Sequence, residues 1–254
     1  MLRYFFITLT ALLLTSCSVN SETTYYNDSA SSMQTDILID QSMLSVMAPA
    51  LTNQPNYQKL TTEWQSLYDL QKDAKITLNK DSVKVLQKLF VRLNKDQGQV
   101  YGLSLKYDKL MPGEVAQLFS QSKQLKRLPL QNISTWNGKT LTLNTEALKA
   151  DALMNTVRNI ASEPAVGTPK TKSDSLEMYG REIAEGMLGM MRMFPVTISN
   201  TIKFQKPIKT ISGKHDYIKQ IDKRTIQISL RSTDALENKK QLTHSDPKII
   251  IVTE

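Results

Sequence analysis

Asn137-Gly138 is the strongest local constraint on folding in this chain, because it joins two alternating runs, residues 132–136 and 139–144. Asn-Gly accepts the positive φ values that a type I′ turn demands, so the segment predicts a tight β-hairpin. Two more hairpins follow from the same logic. Residues 22–27 are rich in β-formers, 28–32 read as a turn, and 33–40 alternate with Met33, Thr35, Ile37 and Ile39 on one side. Residues 89–93 alternate, 94–98 are turn-like, and 99–107 alternate with Tyr101, Leu103, Leu105 and Tyr107. Four later runs also read as strands: 196–204, 208–212, 225–231 and 248–253.

Between these runs the spacing turns helical. Helices are expected over 41–51, 57–71, 82–87, 114–124, 145–160 and 174–194, with a helical turn near 234–237. Asn144 or Thr145 is placed to cap the fifth, and Pro195 ends the sixth. Hairpins interspersed with helices predict an α+β fold, an antiparallel β-sheet with helices packed on one face. Residues 162–173 hold Pro164, Gly167 and Pro169 and few apolar residues, which marks a loop between two lobes, 22–161 and 174–254. No period of repeat-protein length recurs.

The core must hold the fold unaided, because the chain has 254 residues and a single cysteine, Cys17. One cysteine makes no internal disulfide, and a chain of this length buries enough surface without one. The residues before Cys17 explain its presence. Met1-Leu2-Arg3 is a short positive segment and residues 4–14 are apolar, too few to span a bilayer. Leu14-Thr15-Ser16-Cys17 then resembles the lipobox of bacterial lipoproteins: an aliphatic residue, two small residues and the cysteine.

That resemblance implies a concrete processing route. A diacylglyceryl group is added to the Cys17 thiol, a peptidase cuts before Cys17, and the new amine is acylated. Residues 1–16 are then a cleaved signal peptide, 17–21 a short tether and 22–254 the folded domain. Two or more acyl chains anchor stably where one does not. A five-residue tether reaches roughly 17 Å at most. Ser18 in place of Asp after the cysteine points, by the enteric sorting rule, to the outer membrane.

The order of elements carries a second resemblance. A hairpin just after the cysteine (Thr24-Tyr25-Tyr26-Asn27), a Met-containing helix, a long hairpin, a Met-rich helix and a terminal strand set with Phe204-Gln-Lys-Pro-Ile-Lys-Thr-Ile-Ser212 resemble a group of Bacteroidota envelope lipoproteins. Members of that group usually have Gly in the first turn, where this chain has Asp28-Ser29-Ala30. The group has no established activity, so the resemblance implies fold and location alone.

Catalytic patterns are few. His215 and His244 are the two histidines, each in a turn-like setting, and neither belongs to a metal-binding pattern. No G-x-S-x-G elbow and no phosphate-cradling glycine loop occurs. With Cys17 acylated, no thiol nucleophile remains. No metal ligand, cofactor or catalytic residue is assigned.

The net charge of +8 comes from scattered lysines and not from a compact block. This suits solubility first, then attraction to anionic lipid or envelope glycans, and it does not suggest nucleic acid. The most unusual segment is 186–194, where Met187, Met190, Met191 and Phe194 fall on one helical stripe. Methionine suits adaptable surfaces, so this stripe is either a core helix or a surface for a partner or ligand. The sequence therefore describes a membrane-anchored envelope lipoprotein acting as a non-enzymatic binding or structural module. Its partners would be the membrane, through the lipid on Cys17, and an envelope protein or glycan. A carrier of an apolar ligand and a hydrolase are the alternatives.

Overall fold

The computed structural model describes residues 17–39, 60–71, 80–120, 134–148, 196–231 and 242–254. In chain order these form β1 (Cys17–Tyr25), β2 (Ser31–Leu38), β3 (Gln65–Ser66), α1 (Leu67–Gln71), α2 (Lys80–Gln87), β4 (Leu89–Asp96), β5 (Gln99–Leu110) and α3 (Pro112–Ser120). There follow β6 (Ser134–Trp136), β7 (Thr140–Asn144), a 3-10 turn (Thr145–Leu148), β8 (Val196–Phe204), β9 (Ile208–Ser212), β10 (Ile218–Asp222), β11 (Thr225–Arg231) and β12 (Lys248–Thr253).

The strands make two sheets. The larger has eight strands in the order β10-β11-β8-β1-β2-β5-β4-β3, and the smaller has four in the order β6-β7-β12-β9. Neighbours in the large sheet run antiparallel except β1 and β8, which lie parallel with Cys17 opposite Val196 and Tyr25 opposite Phe204. Both sheets draw strands from either side of residues 162–173. Residues 17–21, read from the sequence as a tether, form the first half of β1 and pair with β2 and β8.

The core lies where the sheets meet. Tyr25, Ile202, Phe204, Ile226 and Ile228 of the large sheet pack with Leu141, Leu143, Ile249 and Ile251 of the small one. The period of two explains the pattern: β7 and β12 alternate, so Leu141, Leu143, Ile249 and Ile251 all turn inward and are fully buried. Each such side chain contributes roughly 2 kcal/mol of hydrophobic stabilisation. The rings of Tyr25, Trp136 and Phe204 stack at centroid distances of 5.3–6.0 Å, and Trp136 Nε1 donates to the Tyr26 carbonyl at 2.7 Å. The small sheet is thereby fastened to one corner of the large sheet.

This arrangement corrects the expected α+β class. The described residues are mostly strand, and the layer packed on the large sheet is the second sheet, not helices. The hairpins were recognisable one by one; their joining into two facing sheets depended on long-range pairing such as β1 with β8. The α-helices among the described residues have five, eight and nine residues. The helix expected over 57–71 shortens to α1. Thr61 gives its carbonyl to the Leu93 amide at 2.8 Å, residues 65 and 66 pair with β4, and Ser66 Oγ accepts the Asp69 amide at 3.0 Å to start the helix. The helices expected over 41–51 and 174–194, and all of 145–160 beyond the 3-10 turn, lie outside the described residues. Asn144 caps that turn, its Oδ1 accepting the Glu146 amide at 3.1 Å, while the Thr145 hydroxyl donates instead to the Asp246 carbonyl.

Candidate functional site

Alternation gives the large sheet two unlike faces. On the inner face stand Val19, Thr23 and Tyr25 of β1, Ile198, Ile202 and Phe204 of β8, and Leu103, Leu105 and Tyr107 of β5. The opposite face takes the other parity: Asn20, Glu22 and Thr24 from β1, Ser199, Thr201 and Lys203 from β8, Gln34 and Asp36 from β2. It is a field of hydroxyls, amides and carboxylates around a shallow depression of ≈ 270 Å³ lined by Asn20, Ser21, Glu22, Gln34, Asp36 and Thr201.

The side chains around this depression are already engaged in ordered contacts. Ser104, fully buried, donates to Asp36 Oδ1 at 2.5 Å, and it shares a hydrogen bond of 2.8 Å with the buried Asn94 amide. Gln34 Nε2 lies 3.4 Å from both Asp36 oxygens. Glu22 pairs with Lys203 at 2.8 Å. Farther across the same face the Arg92 guanidinium lies 4.6 Å over the Trp64 ring and the Lys106 ammonium 5.0 Å from it, a cation–π stack. Arg92 Nε, itself buried, meets no hydrogen-bond partner among the described residues. The face can offer directed hydrogen bonds to a polar ligand. Sequence reading misses it because strands are recognised by their apolar positions. The signal was the complementary set, Asn20, Glu22, Thr24 and then Ser32, Gln34, Asp36, polar at every second residue.

Cys17 stands at the first position of β1, in the middle of the large sheet. Met187, Met190, Met191 and Phe194 lie outside the described residues. The chain that follows them enters the large sheet at Val196, the register partner of Cys17.

The histidines differ from their expected setting in part. His215 is buried at 7 % exposure, its Nδ1 accepting the Tyr217 amide at 3.3 Å and its ring 5.2 Å from that of Tyr217. A lone β-bridge from His215 to Ser245 closes the loop over it. His244 is exposed and sits 3.2 Å from Asp216 Oδ1. Asp216 also accepts the amides of Thr243 at 2.7 Å and His244 at 3.2 Å. Those amides, first that of Thr243, hold its carboxyl below the usual range. The Asp216–His244 contact thus clamps two loop segments together. Among the described residues no group of three or more His, Cys, Asp or Glu stands ready to hold a metal, and no helix is long and apolar enough to cross a membrane.

No protein-family model and no curated protein matches the chain. Among solved structures it is similar to the folded domain of LppM from Mycobacterium tuberculosis, determined by NMR, at 12 % identity over 94 % of this chain and 92 % of that one, with a TM-score of 0.38. A TM-score of that size is below that of a shared fold, and the functional reading rests on this chain's own residues.

Proposed function

We infer that this chain is a lipid-anchored lipoprotein of the bacterial envelope, held by Cys17, and that it works as a binding module. The observation that carries the reading is the segment ending Leu14-Thr15-Ser16-Cys17 after a short positive and a longer apolar stretch. Ser18, where an Asp would retain an enteric lipoprotein in the inner membrane, favours the outer membrane. The open polar face around Asn20, Gln34 and Asp36 is the surface that meets an envelope protein or glycan. Its ordered carboxylate, amide and hydroxyl groups suit polar recognition, and its chemistry needs no reacting group.

Expression in a bacterial host fed an alkynyl fatty acid tests the anchor. The wild-type chain takes up the label and sediments with membranes. Cys17→Ala takes up none and either remains an uncleaved precursor or appears soluble. A Cys17→Ala chain that is still membrane-bound, cleaved and acyl-labelled overturns the reading.

A further inference from the structure

We propose that Arg92, held on Trp64 beside Lys106, binds the acid group of an acidic envelope glycan whose sugar hydroxyls lie along Asp36 and Asn20. This rests on the reading of the polar face as a recognition surface and names the chemistry that the face recognises.

Arg92 carries a charge that its surroundings do not neutralise. Its guanidinium lies 4.6 Å over the Trp64 ring, and its Nε is buried without a hydrogen-bond partner. Among the described residues no carboxylate pairs with it. The acids on the same face are engaged elsewhere: Asp36 accepts from Ser104 and Gln34, Asp108 pairs with Lys106 at 3.2 Å, and Glu22 pairs with Lys203. An arginine held against a ring loses less freedom on binding than a free one. Its planar fork donates two hydrogen bonds to one carboxylate or phosphate. Lys106 adds a second cation, its ammonium 5.0 Å from the Trp64 ring and 5.2 Å from that of Phe90, with a side chain 26 % exposed. Two cations on one ring make this corner of the face attractive to anions.

The register places Arg92 in line with groups that suit sugar hydroxyls. Asn20, Asp36, Ser104 and Arg92 stand level on β1, β2, β5 and β4. In the neighbouring row on the same face, Glu22, Gln34, Lys106 and Phe90 stand level. A hydroxyl both donates and accepts; the carboxylate of Asp36 accepts, and the amides of Asn20 and Gln34 do both. Three strand spacings separate Asn20 from Arg92, roughly 14 Å, which suits a short oligosaccharide laid across the strands. A peptide recognised by a sheet adds a strand to an open edge, but these four strands are each paired on both sides. A bilayer surface calls for exposed apolar side chains, and the two large ones among the described residues, Met111 and Ile221, belong to neither row.

Calorimetry on the mature, acylated protein in detergent micelles tests this with oligogalacturonate, which has one carboxylate per sugar, against its neutral methyl ester. The acidic oligomer should bind at least tenfold tighter than the ester, and added salt should weaken it. Arg92→Gln should lose that preference, while Arg92→Lys, which keeps the charge without the fork, should retain part of it. Because Arg92 pairs with no acid in the free protein, Arg92→Gln should unfold at an unchanged midpoint. A midpoint that falls in both variants while the preference stays would make Arg92 a structural clamp on Trp64 and overturn the proposal. Equal binding of acid and ester that Asn20→Trp abolishes overturns the acid site and leaves the reading of the face standing. Binding of neither oligomer, or binding that Asn20→Trp leaves untouched, overturns both. Polyglutamate or glycerol phosphate binding as tightly as the acidic oligomer overturns the glycan in favour of an acidic peptide or a lipid headgroup.

Discussion

Gly138 and Gly98 occupy hairpin turns of different geometry, and the difference sets what each residue must be. Gln97 and Gly98 both take positive φ, 47° and 81°, as a type I′ turn requires. At the Asn137-Gly138 hairpin only Gly138 does so, at 91°, and the two loop residues are Gly138 and Lys139, because Asn137 faces Thr140. The hairpin is therefore where the sequence placed it, but its turn is not type I′. Asn137 serves through its side chain, Oδ1 accepting the amides of Lys139 and Thr140 at 3.1 and 2.7 Å. A Cβ at Gly138 would also stand 2.5 Å from the Asn27 carbonyl, whereas one at Gly98 would meet nothing within 4 Å. Gly98→Ala should cost about 1 kcal/mol, the left-handed backbone penalty alone. Gly138→Ala should cost about 2–3 kcal/mol, since the β1–β2 turn must also give way. Denaturant midpoints of the two variants check this; equal losses would contradict it.

Tyr25 carries a second prediction at this scale. Burial pushes its hydroxyl up to about 12, against the opposing hydrogen bond to Ser134 at 3.1 Å. An unfolded chain releases this proton near its ordinary value of 10 while the folded chain still holds it. Folding stability that is fully present below pH 10 is thus lost as pH rises toward about 12. Tyr25→Phe should be about 1 kcal/mol less stable at neutral pH, from the lost hydrogen bond, and should lose less stability across the alkaline range. Unfolding curves at neutral and alkaline pH measure both; an unchanged alkaline slope in the variant would refute the assignment to Tyr25.

At the level of elements, strands with one buried face were legible and the rest were not. β8, β9, β11 and β12 fall where alternation put them, and α2 covers the helix expected over 82–87. β10 was missed because only Ile218 of its residues is even half-buried, so no apolar alternation marks it. Leu60 and Trp64 looked helical by spacing, yet pairing of residues 65 and 66 with β4 won over the local pattern and the helix begins only at Leu67. Charge clamps assist the short helices. Glu114 accepts the Met111 amide at 2.9 Å and pairs with Lys88 at 2.6 Å, which together keep its carboxyl below the ordinary range, the Lys88 bond first. Element pairing also yields a prediction about organisation. β1 depends on β8, and β12 lies between β7 and β9. Fragments 17–161 and 174–254 made separately should each lack a cooperative unfolding transition and should regain one when mixed. Cooperative unfolding of each fragment alone would instead support two independent lobes.

For the whole molecule, the candidate site was legible unevenly. The proposed lipid site at Cys17 rests on the order of residues before it, a linear motif that needs no fold to be read. The polar face was invisible to that kind of reading, because it exists only after β1, β2, β5 and β8 are laid side by side and alternate residues of each share a surface. The helices-on-sheet class failed for the same reason: nothing local to 140–144 or 248–253 says that these strands will leave the large sheet and face it. What joins these levels is the proposed anchor: Cys17, the residue we infer to carry the lipid, belongs to the central strand β1. Mass analysis of the N-terminal peptide of the mature protein, taken from bacterial membranes, tests this most directly. The expected peptide begins at Cys17 and carries a diacylglyceryl group on its sulfur. A free Cys17 thiol, or a mature chain that keeps residues 1–16, would contradict it.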